Sequence, residues 1–375
     1  MDFHKVLEKR LLLADAEGTR RSLRLRQGAD FSSNDYLGFA EDPALRERIN
    51  LRDAPVGAAG SRLLRGHLEL FEEVEQMLAD FTGSQAALIF QSGYQANVGL
   101  LSALLRPGDT VFSDQNNHAS IIDGIRLSGA EKEIYRHGDL EHLSELLKDS
   151  HQNSNHLKVI VTESLFGMDG DIAPLAELAD LAEKSGALLI VDEAHATGLW
   201  GTFEAHRGAG LVQAMGLSKK VFATIHPAGK ALGVGGAWVC GSSLLKDYLI
   251  NFCRAFIFST APSPWLALLL KNSVEYWKQV GQERAIRVLA RSADLSKKWG
   301  LDGGVKGPIL PVILGSNERA IRVARNLQAK GLDVRAIRPP TVPQGTARLR
   351  VTLHWRNSDE EIKILTQAVL QELNI

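Results

Sequence analysis

The sequence has little cysteine, no long apolar run and almost no net charge. Among its 375 residues only Cys240 and Cys253 are cysteines. Two cysteines exclude a disulfide framework and a zinc site built from cysteine ligands, and their scarcity favours a reducing compartment. No stretch approaches the ~20 apolar residues of a membrane span. The apolar run at residues 11–14 is too short for a signal peptide. These absences predict a cytoplasmic protein with no membrane partner.

The near-balance of charge excludes another class of partner. Lysine and arginine number 43 and aspartate and glutamate number 44, for a formal net charge of -1. A chain of this charge has no bulk attraction for nucleic acid. Hydrophobic residues make up 45% of the sequence, which is typical of a globular protein with a sizeable core.

The order of apolar patterns indicates the fold class. From about residue 67, helical patterns alternate with six short apolar runs, AALIF, TVFSD, LKVIVTE, ALLIVDE, VFATI and GAWVC. This alternation predicts an α/β domain with a mostly parallel sheet. After about residue 265, long helices and a few strands predict a smaller α+β domain. We therefore expect an N-terminal helix and segment at 1–45, a large domain at 46–270 and a small C-terminal domain at 271–375.

Lys230 is the strongest candidate for covalent chemistry. It lies in the glycine-rich segment 229–239, just after the predicted strand that ends at Ile225. Small residues let a flat ring approach the backbone, and a desolvated lysine suits Schiff-base chemistry. Lys219 and Lys220 precede that strand, whereas ligands of α/β sheets collect at the carboxyl ends of strands.

Polar residues also follow the predicted strand at residues 187–191. Asp192, Glu193 and His195 come directly after this apolar run. A buried carboxylate needs a partner, and the pyridinium nitrogen of a cofactor is a suitable one. A metal site is the alternative, although the spacing fits no standard zinc pattern.

Further strand ends carry candidate contacts. The turn at Gly93 and Tyr94 starts a predicted helix whose N–H groups suit a phosphate. His118 follows another strand and could stack on a planar ring. Arg348 and Arg350 alternate on a late strand and point to one face, where one of them could bind a carboxylate.

These motifs together resemble one known family, the α-oxoamine synthases. They are pyridoxal-phosphate (PLP) enzymes of the aspartate-aminotransferase fold, fold type I, which condense an amino acid with an acyl-CoA thioester. The matching stretches include FSSNDYLGFA, SGYQANVGLL, NNHASIIDGIRLS, VDEAHATGLWG, GKALGVGGA and AIRPPTVPQGTARLRVTL, in family order from about residue 30 to 353. The resemblance implies a large domain with a mostly parallel sheet and a smaller C-terminal domain.

The resemblance implies roles residue by residue. The cofactor residues that it implies are Lys230 as the Schiff-base lysine, Asp192 as partner of the ring nitrogen, His195 at the ring hydroxyl, His118 stacked on the ring, Gly93 and Tyr94 at the phosphate, and Thr260 at the phosphate of the neighbouring subunit in a homodimer. The substrate residues that it implies are Asn34 and Arg350 on the amino-acid carboxylate, Thr341 on the substrate and Arg21 near the acyl-CoA. Lys230, His118, Asp192 and His195 form the catalytic set.

Within the family, the stretch ending in GTARLR is most similar to enzymes of biotin synthesis. The implied reaction condenses L-alanine with pimeloyl-CoA, or pimeloyl-carrier protein, and releases CO2 to form 8-amino-7-oxononanoate. Sister activities remain open: glycine C-acetyltransferase, 5-aminolevulinate synthase and serine palmitoyltransferase. A PLP-binding protein with weakened catalysis is a further alternative. Gly167 and Pro227 favour it, because the family usually has a serine and a threonine there.

Overall fold

The computed structural model describes residues 2–23, 25–150, 156–205, 207–301 and 306–373. Its helices are α1 Phe3–Ala16, α2 Pro43–Arg48, α3 Glu69–Thr82, α4 Gly93–Leu104, α5 Ala119–Ser128, α6 Leu140–Asp149, α7 Leu175–Ser185, α8 Leu211–Ala214, α9 Ser243–Phe252, α10 Arg254–Ile257, α11 Pro264–Lys298, α12 Asn317–Ala329 and α13 Asp359–Leu373. Its strands are β1 Ala29–Asp30, β2 Ala86–Phe90, β3 Thr110–Asp114, β4 Glu131–Tyr135, β5 Lys158–Glu163, β6 Leu188–Asp192, β7 Ala223–Pro227, β8 Ala237–Gly241, β9 Ile309–Gly315, β10 Leu332–Asp333, β11 Arg335–Ile337 and β12 Ala347–Thr352. Among the described helices, none has the length and apolar character needed to cross a bilayer.

The described chain divides into two compact units, each with its own sheet. The sheet unit comprises residues 35–166 and 171–287, and the terminal unit comprises residues up to 34, residues 167–170 and residues from 288 onward. The predicted segments 1–45, 46–270 and 271–375 stay predictions.

The sheet unit contains seven strands in the order β2-β8-β7-β6-β5-β3-β4. The neighbours β7, β6, β5, β3 and β4 are parallel, and β8 runs antiparallel to both β2 and β7. Each of the six apolar runs in the sequence contributes a strand of this sheet. The prediction of a mostly parallel α/β sheet is confirmed.

The strand that the sequence analysis missed is β4, at the edge of the sheet. Its residues, Glu131–Tyr135, are exposed except for Tyr135. An edge strand packs against only one neighbour and can carry charged side chains, so it shows no apolar run.

The terminal unit has an antiparallel sheet in the order β11-β12-β9 and a short parallel pair of β1 with β10. Its core contains Trp299, Leu310 and Leu349, all nearly inaccessible to solvent. Strand β12 is buried along its whole length, including Arg348 and Arg350. Two buried guanidinium groups require polar partners, which the terminal unit itself supplies.

Candidate active site

The strand ends of the sheet unit collect most of the predicted cofactor residues. The register pairs Glu163 at the end of β5 with Asp192 at the end of β6, and Asp192 with Ile225 on β7. His118 follows β3, and Lys230 follows β7. Since these strands are parallel, their carboxyl ends lie along one edge of the sheet.

Asp192 is a buried carboxylate held in one orientation. Its Oδ2 accepts a hydrogen bond from Asn97 Nδ2 at 2.6 Å, and its Oδ1 accepts one from Ala194 N at 2.8 Å. Only 4% of the residue is exposed. A carboxylate oxygen has two lone pairs, so each oxygen keeps accepting capacity for a cationic N–H. Asn97, from α4, is a positioning residue that the sequence analysis did not identify.

His118 is an exposed ring at the start of α5. The backbone N–H of Ser120 donates to His118 Nδ1 at 3.2 Å, so a neutral ring carries its proton on Nε2. Desolvation lowers the pKa of His118, the Asp192 carboxylate opposes this, and the Lys230 ammonium lowers the pKa further. Asp192 and Lys230 are therefore both near enough to act on His118, and the lowered pKa of His118 favours the neutral ring.

His195 is oriented by a tyrosine from a distant part of the chain. Tyr36 Oη lies 2.7 Å from His195 Nδ1, and the tyrosine has no solvent exposure. The tyrosine belongs to the sequence DYLGF, in which its turn-like surroundings gave no sign of this contact. A buried phenol bonded to one ring nitrogen fixes the orientation of the His195 imidazole.

Gly93 starts α4 where no larger residue fits. A Cβ built on Gly93 would lie 2.5 Å from Pro227 Cγ, too close for any side chain without movement. The helix N-terminus therefore keeps its N–H groups open to a phosphate. Tyr94 is 48% exposed and its phenol donates to Asp123, whose carboxylate raises the pKa of Tyr94. Its contribution to a phosphate site would be its backbone N–H.

Glu193 is a buried glutamate with a structural role. Glu193 accepts from Ser164 Oγ at 2.6 Å and from the backbone N–H groups of Leu211 and Val212, so it braces the loop. Burial raises its pKa to about 7.

The described residues contain no group of three or more His, Cys, Asp or Glu side chains arranged for a metal ion.

Glu163 lies at the cofactor edge and was not identified from the sequence. Burial raises its pKa well above the usual range, and the Asp192 carboxylate raises it further, while the Lys230 ammonium opposes both. The raised pKa of Glu163 favours its neutral form, which avoids placing a second carboxylate charge at this buried edge.

At position 227, where the family usually has a threonine, two nearby threonine hydroxyls are committed to His226. Thr224 Oγ1 lies 2.7 Å from His226 Nε2, and Thr197 Oγ1 lies 3.0 Å from His226 Nδ1. His226 is also stacked on Trp238. Since burial lowers the pKa of His226 to about 3, this ring adds no positive charge to the phosphate site.

In the terminal unit, the structure distinguishes the two arginines of β12. Arg348 donates to the Asp169 carboxylate and is thereby committed to an ion pair. Arg350 Nε donates to the Gly167 carbonyl, and Arg350 Nη2 donates to Asn34 Oδ1 at 2.9 Å. Because the backbone of Gly167 makes this contact, the missing serine side chain leaves the orientation of Arg350 intact.

The remaining predicted residues have the following places. Arg21 Nη2 donates to Thr341 Oγ1 at 3.2 Å in the terminal unit, so these two predicted substrate residues are adjacent. Thr260 is exposed in the sheet unit, and its carbonyl accepts from Gln91 Nε2 at 3.2 Å. Gln91 lies two residues before Gly93, so Thr260 lies near the Gly93 turn of its own chain.

The residues at the sheet edge fit PLP. The glycine cradle at Gly93 can take a phosphate, Asp192 can accept from a protonated ring nitrogen, and His118 can cover a ring face. Lys230, whose charge acts on His118, supplies an amine. The structure thus offers a partner for each polar part of this cofactor.

Comparisons with known proteins agree with this chemistry. The family model described as aminotransferase class I and II matches residues 26–369. The 8-amino-7-oxononanoate synthase of Alkalilimnicola ehrlichii is 41% identical to this chain over 98% of each protein.

Solved structures are similar over comparable lengths. A variant of serine palmitoyltransferase from S. paucimobilis with a bound PLP–myriocin aldimine has a TM-score of 0.87 at 27% identity, covering 98% of this chain and 96% of that one. The 8-amino-7-oxononanoate synthase of Francisella tularensis has a TM-score of 0.77 at 29% identity, covering 92% and 98%. The predictions of fold and cofactor class are confirmed.

Proposed function

This chain belongs to the aminotransferase class I and II family, and from that premise we propose that it is a PLP-dependent acyltransferase that makes 8-amino-7-oxononanoate. It condenses L-alanine with a pimeloyl thioester and releases CO2 and the thiol. The observation that carries the proposal is the joint presence of Lys230, Asp192 and His118 at one sheet edge. The 41% identity to a curated relative of this activity supports the choice among sister enzymes.

PLP, when bound, supplies an electron sink that stabilises negative charge at the α-carbon of the amino acid. Asp192 keeps a proton on the ring nitrogen, because Asn97 and the backbone of Ala194 hold the carboxylate in place. The neutral His118 ring can stack on a cationic ring without charge repulsion. Lys230 Nζ would serve as the general base that takes the α-proton of alanine.

Arg350 and Asn34 bind the carboxylate of the amino acid in this proposal. The Gly167 carbonyl and the Asn34 amide oxygen orient the guanidinium before substrate arrives. Such preorganisation reduces the ordering cost of a charge-assisted hydrogen bond. The α-carbon then forms a bond to the thioester carbonyl, the C–S bond breaks, and CO2 leaves from the β-keto acid.

The decisive assay mixes purified holoenzyme with L-alanine and pimeloyl-CoA and measures thiol release together with formation of 8-amino-7-oxononanoate. We expect both, and we expect neither with Lys230→Ala. Release of thiol with glycine and acetyl-CoA or succinyl-CoA, but not with alanine and pimeloyl-CoA, would replace this proposal with a sister activity.

Serine palmitoyltransferase is the second candidate, because a structure of that enzyme has the higher TM-score, 0.87 against 0.77. Sequence identity, 41% against 27%, favours the biotin-synthesis reaction. L-serine with palmitoyl-CoA is therefore included in the assay. We further propose a cytoplasmic homodimer in which Thr260 serves the phosphate site of the neighbouring subunit.

A further inference from the structure

A chain of three side-chain hydrogen bonds joins two of the cofactor residues of the sheet unit. Asn97 Nδ2 lies 2.6 Å from Asp192 Oδ2 and 3.0 Å from Ser120 Oγ. Ser120 Oγ in turn lies 2.8 Å from His118 Nδ1. The two middle residues are buried, since Ser120 has no solvent exposure and Asn97 only 2%. We call these four residues the edge network.

The number of hydrogens on each group fixes the direction of the bonds in the edge network. An ionised Asp192 only accepts, so the Asn97 amide must turn its nitrogen toward that carboxylate. This nitrogen has two hydrogens, and the second bonds the Ser120 oxygen. The Ser120 hydroxyl therefore accepts from Asn97 and donates its own hydrogen to His118 Nδ1.

His118 Nδ1 receives a second donor from the backbone. His118 is the N-cap of α5, and the backbone N–H of Ser120 donates to its Nδ1 at 3.2 Å. A backbone N–H can only donate, so a proton on Nδ1 would face another N–H. The proton of the neutral ring is therefore on Nε2. This nitrogen makes no hydrogen bond within the part of the chain that the structure describes.

The backbone of His118 is held at the same sheet edge. The carboxyl group of Glu163 accepts a hydrogen bond from the backbone N–H of His118. Glu163 is also the register partner of Asp192 in the pairing of β5 with β6. Both the place of His118 and the orientation of its ring thus depend on groups that adjoin Asp192.

We propose that Ser120 is a positioning residue of the cofactor site. Its hydroxyl locks the His118 ring in the Nε2–H tautomer and links the orientation of that ring to the amide that holds Asp192. The inference rests on the proposed function, in which His118 covers the PLP ring and Asp192 meets its nitrogen. One hydrogen-bonded chain then sets both contacts and leaves the Nε2–H of His118 for a bound molecule.

The first test measures the tautomer directly, by nitrogen NMR of the holoenzyme with isotope-labelled histidine. The signals that are missing from His118→Asn identify this ring among the 11 histidines. We expect a single population with a proton on Nε2 and none on Nδ1. A mixture of tautomers in the wild type, or a proton on Nδ1, would overturn the proposal without any variant of Ser120.

Variants of Ser120 show whether its hydroxyl is the cause. Ser120→Ala should give both tautomers in exchange, because Nδ1 keeps only the longer backbone hydrogen bond at 3.2 Å. Ser120→Thr retains a hydroxyl and should restore the single tautomer. Ser128→Ala is the matched control, since Ser128 is buried on the same helix and donates to the Ile125 carbonyl at 2.6 Å instead.

Cofactor affinity and kinetics supply the second readout. The loss of one neutral hydrogen bond in Ser120→Ala should raise the Kd for PLP about two- to tenfold. We expect kcat to fall by a similar factor and the KM for alanine to stay unchanged, because Arg350 and Asn34 hold its carboxylate in the proposed function. Wild-type affinity, kcat and tautomer in Ser120→Ala would rule out the positioning role.

A double-mutant cycle tests the link to Asp192. Asn97→Ala and Ser120→Ala break the same chain, so their combined effect on the Kd for PLP should be smaller than the product of the single effects. Independent effects would show that Ser120 does not act through Asn97. If the tautomer depends on Ser120 and PLP binds, but no donor releases thiol, the positioning role stands and the proposed reaction is refuted.

Discussion

His137 joins three parts of the sheet unit through two carboxylates. Its Nδ1 lies 2.8 Å from Asp114 Oδ1, and its Nε2 lies 2.9 Å from Asp171 Oδ2. The ring also meets Phe166 edge-on, with 4.4 Å between centroids. Asp114 ends β3, four residues before His118. The charge on His137 therefore stabilises the strand end that leads to the cofactor site.

The pKa of His137 determines how this stabilisation depends on pH. Burial alone would lower the pKa of His137, but the hydrogen bonds and charges of Asp114 and Asp171 outweigh it and raise the pKa to about 10. A raised pKa means that the stabilisation is complete below the unfolded value of about 6.5 and is lost as pH rises toward 10. The loss is about 1.4 kcal/mol per pH unit, for at most about 5 kcal/mol. Screening reduces the share of Asp171, whose side chain is 43% exposed.

We expect His137→Gln to be less stable than the wild type by several kcal/mol at pH 6, because the buried Asp114 loses its cation. The difference should shrink by roughly 1 kcal/mol per pH unit between pH 7 and 9. Urea unfolding midpoints of the holoprotein at each pH measure it. His142→Gln is the control, since the His142 ring accepts a hydrogen bond from the backbone N–H of Arg136 instead of lying between two carboxylates. A difference that is constant or grows with pH would refute the reasoning.

Four further predictions concern the cofactor and substrate residues. Borohydride reduction should fix the cofactor to the peptide with Lys230, and label on Lys219 or Lys220 would contradict this. Arg350→Ala should weaken alanine binding ten- to hundredfold, because a charged hydrogen bond worth roughly 1.5–3 kcal/mol is lost. Spectroscopic titration with alanine measures this, and an unchanged affinity would exclude the assigned role. Pro227→Thr should lower the PLP Kd about ten- to hundredfold, because a hydroxyl beside Gly93 would reach the phosphate site; equal or weaker binding in a titration of apoprotein would show that the proline belongs to a complete site. Sedimentation should find a homodimer, and a fully active monomer would disprove shared sites.

The departures at Gly167 and Pro227 have different consequences in the structure. Gly167 still offers its carbonyl to Arg350, so the alternative of weakened catalysis gains nothing from it at this contact. The Pro227 ring fills the space that a Cβ on Gly93 would need. The hydroxyl of Thr224 is already bonded to His226. We therefore expect Pro227 to change the affinity for PLP and not the fold.

Sequence patterns alone determined the fold class and the main cofactor candidates. Alternating apolar runs and helices indicate a parallel sheet, and polar residues after such runs must lie at its carboxyl edge. Asp192, His118 and Lys230 could be placed there because each lies at the end of an apolar strand or within a few residues after it. Strand β4 escaped detection because its exposed position requires no apolar residues.

Only the tertiary structure decided which partners these residues have. Alternation places Arg348 and Arg350 on one face of β12. In the structure Arg348 forms an ion pair with Asp169. Arg350 is oriented by Asn34 and Gly167 instead. The same holds for Asn97 on Asp192, Tyr36 on His195, and the two carboxylates on His137. Periodicity reports which face of an element is buried, because that depends on neighbours along the chain. Hydrogen-bond partners and pKa values depend on groups that folding brings together from distant positions, and local patterns carry no record of them.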